Sequence, residues 1–569
     1  MKASSRLRLH DTALIGAMGL VAACGLVYEY LMAHFAGRIL GAVEPTLYTM
    51  IGLMIVAMGL GAFAAKWIAS IYRGFAWLEL SIAVLGGTSV LALSAAVALA
   101  YALPEWLRTV YGLDVTIALD GGVPSSMVAV ARILPFVAGF LIGFLIGMEI
   151  PLIARVREHV HARHLEHNLG TMYGADYIGA GVGAAIWVLV CLKMPIVFAA
   201  VGAAALNTAV GAAFLVIYRA RLRPAHWLWI GHGLLAVLLV VLAGFGTQWM
   251  AQLGDTLFKD RVAYRLQTPY QNVVVTRRHV AVGKPDVVSL YINGRLQFAS
   301  NDERIYHAYL TTPAMLAAYR RDRVLVLGGG DGLALRDVLR WNPQTVTLID
   351  IDTGLLRLFR GDDPDAPDWL TETLTELNEH AFDDPRVDVI EGDAFIEVEQ
   401  LAAAGRRYDV VVADLPDPSH PDLNRLYSDY FYGRIRHLLS PDGTFVTQST
   451  SPFHATAAFL SIGKTIASVG FRVEQYHANV PSFGQWGWSI ATVQGLGASA
   501  RIAASDTPTF PDGWLDQAQT IAAFALPDAV TGRDESIAIN RLGSHVVFSY
   551  HQRAWREHKG TFFAGEAIP

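Results

Sequence analysis

The chain changes its hydrophobic rhythm once, near residue 250. Before that point apolar residues run on in long stretches; after it they come in short bursts separated by acids, glycines and prolines. The long stretches cover 12–34, 46–70, 76–103, 128–154, 172–192, 195–218 and 227–247. About 20 apolar residues span a bilayer, so each stretch predicts a membrane-crossing helix. The first is too long for a secretory leader and lacks a clear small-residue cleavage site. Small residues cluster in GLGAFAA (59–65) and GAGVGAA (179–185), as where helix backbones approach closely in lipid.

From about residue 256 the period shortens. TPYQNVVVTRR and VVSLYINGRLQF alternate like strands, with Asn293–Gly294 as a turn. Strand and helix patterns then alternate. RVLVLGGG leads into the helix LALRDVLR, and TVTLIDID, VDVIEGD, YDVVVADL and TFVTQST follow as further strands. That order predicts a doubly wound α/β sheet with its ligand at the carboxyl ends of the strands. The expected organisation is a multi-pass α-helical membrane domain over 1–250, a small β region over 256–320, an α/β doubly wound domain over 321–500 and a C-terminal extension over 501–569.

Composition removes some classes. Charged residues make up 17% of the 569, below the roughly 25% of soluble proteins. A net charge of −6 argues against a nucleic-acid partner. Cys24 and Cys191 both lie in apolar stretches, which excludes a disulfide framework or a cysteine zinc site in the second half.

Acids inside apolar stretches are costly and face a partner or a wet cavity. Glu29, Glu79, Glu149 and Asp176 are such acids, and Arg132 enters the fourth stretch. The plain reading pairs Arg132 with one of them and leaves the rest at the interface. The sharper reading makes Glu29, Glu149 and Asp176 an intramembrane cation site. Connections on the N-terminal side carry eleven Lys and Arg against three on the other (Arg38, Arg108, Lys193). This places the N-terminus in the cytoplasm and, after seven spans, the second half outside it. A re-entrant segment near Lys193–Pro195 would reverse the outcome.

The strand ends carry the chemistry. Gly328, Gly330, Asp331, Asp350, Asp393, Asp414 and Asp417 all fall there. Gly328, Gly330 and Gly332 are spaced G-x-G-x-G, with Leu333 where a dinucleotide fingerprint places its last glycine. Asp331 inside the loop would repel a pyrophosphate and suit a cation. Asp350 ends the second strand, placed for ribose hydroxyls. Together they favour an adenosyl sulfonium compound. Asp414 and Asp417 flank Leu-Pro and form an anionic rim for an amine, whose ammonium must lose a proton before it can attack.

PYQNVVV, LYINGRLQFASNDERIYH, VLVLGGGDGLALRDVL, the GDA of EGDAF, YDVVVADLPDP and VTQSTSPF, taken in order, resemble the spermidine synthase family, the polyamine aminopropyltransferases. The whole chain is similar to membrane-fused bacterial members, with ACGLVYE, GMEIPL, SFGQWGW and INRLGSHVVFSYHQRAW. The resemblance implies a Rossmann-like, methyltransferase-type fold. It implies transfer of the aminopropyl group of decarboxylated S-adenosylmethionine, a co-substrate, to an amine such as putrescine, with no prosthetic group and no metal. By position, Asp414 would be the base. Gln271, His307, Gly328, Gly330, Asp331, Asp350, Asp393 and Ala394 would bind the donor, and Tyr306, Asp417 and Gln448 would line the amine site. Partners would be the polyamine, the donor and the lipid bilayer of the inner membrane. Soluble members form dimers or tetramers, a homo-oligomeric interface that the helices here could replace or block. The cytoplasmic origin of the donor asks for a cytoplasmic catalytic domain, against the charge count. Departures from the family pattern are Asp350 for Glu, Ala308 after the Tyr-His pair, Leu415–Pro416 between the two aspartates, and no tyrosine before the late Gly-Gln. A polyamine transporter or sensor with a non-catalytic domain is the alternative from another class, and methyl transfer the alternative reaction.

Overall fold

A computed structural model describes residues 2–40, 43–112, 122–161, 166–222, 224–258, 260–505, 515–531 and 536–557. The chain divides into a helical unit, Met1–Lys259, and an α/β unit, Asp260–Phe563.

The helical unit is built from α1 (Lys2–Leu40), α2 (Val43–Ala64), α3 (Ile71–Tyr111), α4 (Gly122–Ile146), α5 (Glu149–His161), α6 (Asn168–Leu189), α7 (Ile196–Ile217) and α8 (His226–Asp255). Among the described residues, seven helical stretches are long and apolar enough to cross a membrane. They coincide with the seven apolar runs of the sequence. The fourth, Val123–His161, is interrupted: α4 stops at Ile146, Gly147–Met148 form a turn, and α5 restarts at Glu149. Lys193, where a re-entrant segment is the alternative, lies between two long helices. Cys191–Lys193 is one short 3-10 turn, and α6 and α7 on either side are full 22-residue helices. Small residues set the helix spacing. A Cβ added at Gly179 would sit 2.1 Å from the Gly19 carbonyl oxygen, so α6 packs directly on the backbone of α1.

The α/β unit opens with an antiparallel sheet of β1 (Arg261–Gln267), β2 (Asn272–Arg278), β3 (Val287–Ile292) and β4 (Arg295–Ala299), in that order. After α9 (Glu303–Ala317) come β5 (Arg323–Gly328), α10 (Leu333–Leu339), β6 (Thr345–Asp350), α11 (Thr353–Arg360), α12 (Asp368–Leu377), β7 (Val387–Glu391), α13 (Ala394–Ala403), β8 (Tyr408–Asp414), α14 (Asp429–Leu438), β9 (Leu439–Gln448), α15 (Thr456–Ser468), β10 (Arg472–Val480) and β11 (Gly484–Thr492). The large sheet has the order β7-β6-β5-β8-β9-β11-β10. Its first five strands are parallel and β11 is antiparallel to both neighbours.

The central strands read as unbroken apolar runs because both faces are covered. Val324, Val326, Val410 and Val412 face one layer, with Leu310 of α9 and Leu335 of α10. Leu325, Leu327, Val411 and Ala413 face the other, with Val398 of α13, Ile435 of α14 and Ile462 of α15. Each such side chain contributes about 1.5–3 kcal/mol by burial. The chain order reverses at β5 and β8, so the crevice between their carboxyl ends is where a ligand fits.

Candidate active site

The glycine loop after β5 brings strand ends together. Gly328 has φ +77°, and a Cβ there would lie 2.1 Å from the carbonyl oxygen of Asp414. Only glycine lets the ends of β5 and β8 touch in this way. At Gly330 the obstacle would be the Asp350 carboxylate, 2.8 Å from an added Cβ. The Gly330 N–H donates to that same oxygen at 2.9 Å. Asp331 turns back so that Oδ1 accepts from the Leu333 N–H at 3.0 Å.

At the centre Tyr306 Oη donates to Asp414 Oδ1 at 2.9 Å, and His307 Nε2 stands 3.8 Å from Asp414 Oδ2. One side-chain polar atom each of His307, Asp331 and Asp414 lies within 4.8 Å of the other two, so the imidazole and two carboxylates crowd one small space. Beneath them lies a buried ion network. His307 Nδ1 is 2.9 Å from Glu303 Oε2. Arg336 reaches both Glu303 oxygens at 2.8 and 3.1 Å, and also binds Asp337 and the Leu377 carbonyl. Burial opposes charge on His307, but the Glu303 bond and the Glu303, Asp414 and Asp331 charges raise its pKa to about 9. Burial likewise opposes charge on Glu303, but His307 and Arg336 hold it at about 2. Burial outweighs the nearby His307 charge at Asp331, leaving it at about 6. Asp414 is raised by burial, against the pull of His307 and the Tyr306 hydrogen bond.

Toward β6 and β7 the rim of carboxylates continues. Asp350 is raised to about 6 by burial despite N–H donors from Asp352 and Gly330. Gln271 sits in the β1–β2 turn, its backbone bonded to Thr268, which in turn bonds Asp352 at 2.8 Å. That brings Gln271 to the β6 end. Asp393 begins α13: Oδ1 accepts from the Phe395 N–H at 2.9 Å and Oδ2 pairs with Arg425 at 2.7 Å. Ala394, next to it, is buried. The order along the rim is Asp393, Asp350, Asp331, Asp414. Three strand spacings separate the first from the last, about 14 Å.

On the far side of Asp414 the turn Leu415–Asp417 is pinned from below. Tyr427 Oη donates to the Pro416 carbonyl at 2.7 Å, and Gln448 Nε2 donates to the Leu415 carbonyl at 3.1 Å and to Tyr427 Oη at 2.6 Å. Gln448, expected to line the amine site, thus lies directly beneath the turn that carries Asp417. It is buried, its Oε1 accepts from the Thr450 N–H at 2.9 Å, and it supports the turn from within. Asp417 is partly open, with Oδ2 3.5 Å from Nε2 of buried His551 and Oδ1 buried without a hydrogen-bond partner. His551 lies on the helix Val546–Glu557 of the C-terminal extension. Asn540, just before it, bonds the carbonyls of Asn424 and Tyr427 and so ties the extension to the loop after β8. Tyr306 is flanked by Phe483 and Trp488, which give the site an aromatic wall.

Residues 303–501 match the family described as the spermine/spermidine synthase domain. A polyamine aminopropyltransferase of Shewanella oneidensis is 48% identical over 550 residues, 97% of this chain and 96% of its own. This chain belongs to the polyamine aminopropyltransferases. Polyamine aminopropyltransferase 1 of Streptomyces coelicolor is 34% identical, covering 96% of this chain and 95% of its own. The similarity thus runs through the helical unit as well. Among solved structures, a spermidine synthase in complex with the transition-state analogue AdoDATO aligns with 48% of this aminopropyltransferase and 88% of its own chain, at 22% identity and TM-score 0.41.

Sequence reasoning finds the rim carboxylates and misses their supports. Glu303 precedes His307 by one helical turn, a spacing that could have revealed the pair. Arg336 and His551 lie inside the quoted motifs VLVLGGGDGLALRDVL and INRLGSHVVFSYHQRAW, but their partners there, like those of Tyr427, are set only by tertiary folding.

Proposed function

We propose that this membrane-embedded aminopropyltransferase moves the aminopropyl group of decarboxylated S-adenosylmethionine to an amine such as putrescine, giving spermidine and methylthioadenosine. The grouping of His307, Asp331 and Asp414, with Asp417 beside it, carries the reading. Asp331 holds the donor's ammonium, where its negative charge would repel the carboxylate of intact S-adenosylmethionine. Asp350 accepts from ribose, and Asp393 with Ala394 meets the adenine edge once Arg425 releases Asp393. Asp417 holds one ammonium of the acceptor.

The acceptor nitrogen that reacts must first lose its proton, which Asp414 takes. Burial makes Asp414 a stronger base than a carboxylate in water. The freed lone pair then attacks the donor methylene next to sulfonium. The new C–N bond forms as the C–S bond breaks, and the bonding pair leaves on sulfur as neutral methylthioadenosine. Tyr306 keeps Asp414 aimed, and the Glu303–His307–Arg336 network fixes the charge behind it.

The seven apolar helices support anchoring in the inner membrane. We place the catalytic unit on the cytoplasmic face, where the donor is made, against the charge count of the connections. The deciding experiment gives detergent-purified protein the donor and a panel of amines and follows products by mass spectrometry. Methylthioadenosine, with an acceptor heavier by one aminopropyl group, is the expected result. Donor binding without turnover would replace the enzyme with a sensor or transporter.

A further inference from the structure

The helical unit contains a cluster of buried polar groups that the transfer reaction does not use. Tyr28 of α1, Glu79 of α3, Glu149 at the start of α5, Asn207 of α7 and His232 of α8 are all buried, Glu149 to 1% exposure. Glu149 lies within electrostatic reach of Glu79, and Tyr28 within reach of both. Asn207 Nδ2 donates to Glu79 Oε2 at 3.2 Å. Glu79 and His232 meet over Gly211, where an added Cβ would be 3.3 Å from Glu79 Cβ and 2.5 Å from His232 Nε2.

What the cluster lacks is positive charge. Among the described residues, both oxygens of Glu149, Oε1 of Glu79, Oδ1 of Asn207, the Tyr28 hydroxyl and Nε2 of His232 have no hydrogen-bond partner. The Asn207 amide nitrogen is spent on Glu79, so acceptor oxygen remains. His232 Nδ1 contacts the Leu228 carbonyl at 2.9 Å, so Nδ1 carries the proton and Nε2 is an acceptor. Nearly every orphaned atom is thus a lone pair awaiting a donor or a cation. Two carboxylates in an apolar interior cannot both stay ionised without one. The backbone adds a second pointer. Glu149 starts a helix just after the break at Gly147–Met148, and interrupted helices inside a membrane-length span are where ion sites are built.

We propose that Glu79 and Glu149, with Tyr28, Asn207 and His232, form a binding site for one monovalent cation, a proton or an alkali-metal ion. The helices around the cluster pack closely, with backbone against side chain. A Cβ at Gly86 would lie 2.2 Å from the Tyr28 ring, and one at Gly211 2.5 Å from His232 Nε2. Cys24 on α1 and Asp176 on α6 lie within electrostatic reach of Glu149 and complete the titratable groups around it. The cluster shares Glu149 and Asp176 with the cation site expected from sequence (Glu29, Glu149 and Asp176), and adds Glu79.

The test uses the full chain in lipid nanodiscs and infrared difference spectra of the protonated-carboxyl stretch. A carboxyl band lost on raising pH in sodium-free buffer identifies a proton. A band lost at fixed pH on adding sodium chloride, but not choline chloride, identifies an alkali ion. Either response should disappear in Glu149→Gln and in Glu79→Gln. Tyr28→Phe, which leaves both carboxyls in place, should shift the midpoint and guards against misfolded glutamine variants. A wild-type spectrum that responds to neither pH nor sodium overturns the site, as does a response that survives in both glutamine variants.

Discussion

The hydroxyl of Tyr306 donates to Oδ1 of Asp414 at 2.9 Å, while His307 approaches the other carboxylate oxygen at 3.8 Å. The base is thus held from two sides by adjacent residues of one helix. Removing the hydroxyl in Tyr306→Phe takes away a bond to a charged group, worth about 1.5–3 kcal/mol. We expect kcat to fall roughly 10- to 100-fold and the acid limb of the pH–rate profile to move to higher pH, since the hydroxyl holds the Asp414 pKa down. A profile with an unmoved acid limb would refute the assignment.

Asp414→Asn keeps the shape and removes the proton acceptor. General-base removal costs about 10²–10⁴-fold. Turnover should drop by that factor, while donor affinity, measured by calorimetry, changes little. Turnover near the wild-type rate would move the base elsewhere.

Donor binding should depend on pH through Asp331. Its pKa near 6 lies above the ordinary 3.8, so the charge that holds the donor's ammonium is present above that value and lost below it. Donor Kd should therefore rise as pH falls through about 6, by up to about tenfold per unit. Asp331→Asn should weaken binding at neutral pH and flatten the slope. A Kd as steep in the variant as in the wild type would point to Asp350 instead.

Stability should carry the mark of the Glu303–His307–Arg336 network. His307 titrates near 9 in the fold against 6.5 ordinarily, so its contribution is complete below 6.5 and disappears as pH rises through 9. Glu303 titrates near 2 against 4.5, so its share is complete above 4.5 and lost as pH falls through 2. Arg336→Met leaves Glu303 short of charge and should cost about 3–5 kcal/mol. Thermal melts across pH read both effects. A melting temperature unchanged between neutral pH and pH 9 would argue that His307 is neutral.

His551 reaches Asp417 from the C-terminal extension, outside the residues that match the family domain. We expect His551→Ala to raise the acceptor KM several-fold and to alter preference among diamines of different length, with donor Kd unchanged. A fall in kcat with KM constant would place His551 with the base instead.

The strands of the α/β unit are legible because β5, β6 and β8 are covered on both faces and spell near-continuous Val, Leu and Ile. The rim is legible because a doubly wound sheet ends its strands on one edge, so Asp350, Asp414 and the glycine loop had to converge. Gln448 is legible only as a strand end. It ends β9 on the right edge, but its side chain turns under the Leu415–Asp417 turn. The break at Gly147–Met148 is hidden because Ile150, Leu152 and Ile153 carry the apolar run past it, and hydropathy reads composition rather than hydrogen bonding. His551 is invisible because nothing near it in sequence marks Asp417 as its neighbour.

The row from Asp393 to Asp414 is, finally, a ruler whose divisions are strands. Interstrand spacing hardly varies between sheets, so on the proposed assignment the reach from adenine to the reacting carbon would be set by how many strands lie between, not by any side chain. Substitutions along the row can loosen or tighten the donor, but they cannot lengthen it. Beyond Asp414 no such scale applies: Asp417 hangs on a turn and His551 on a separate helix. On that assignment the acceptor end can be reshaped while the donor end keeps its length.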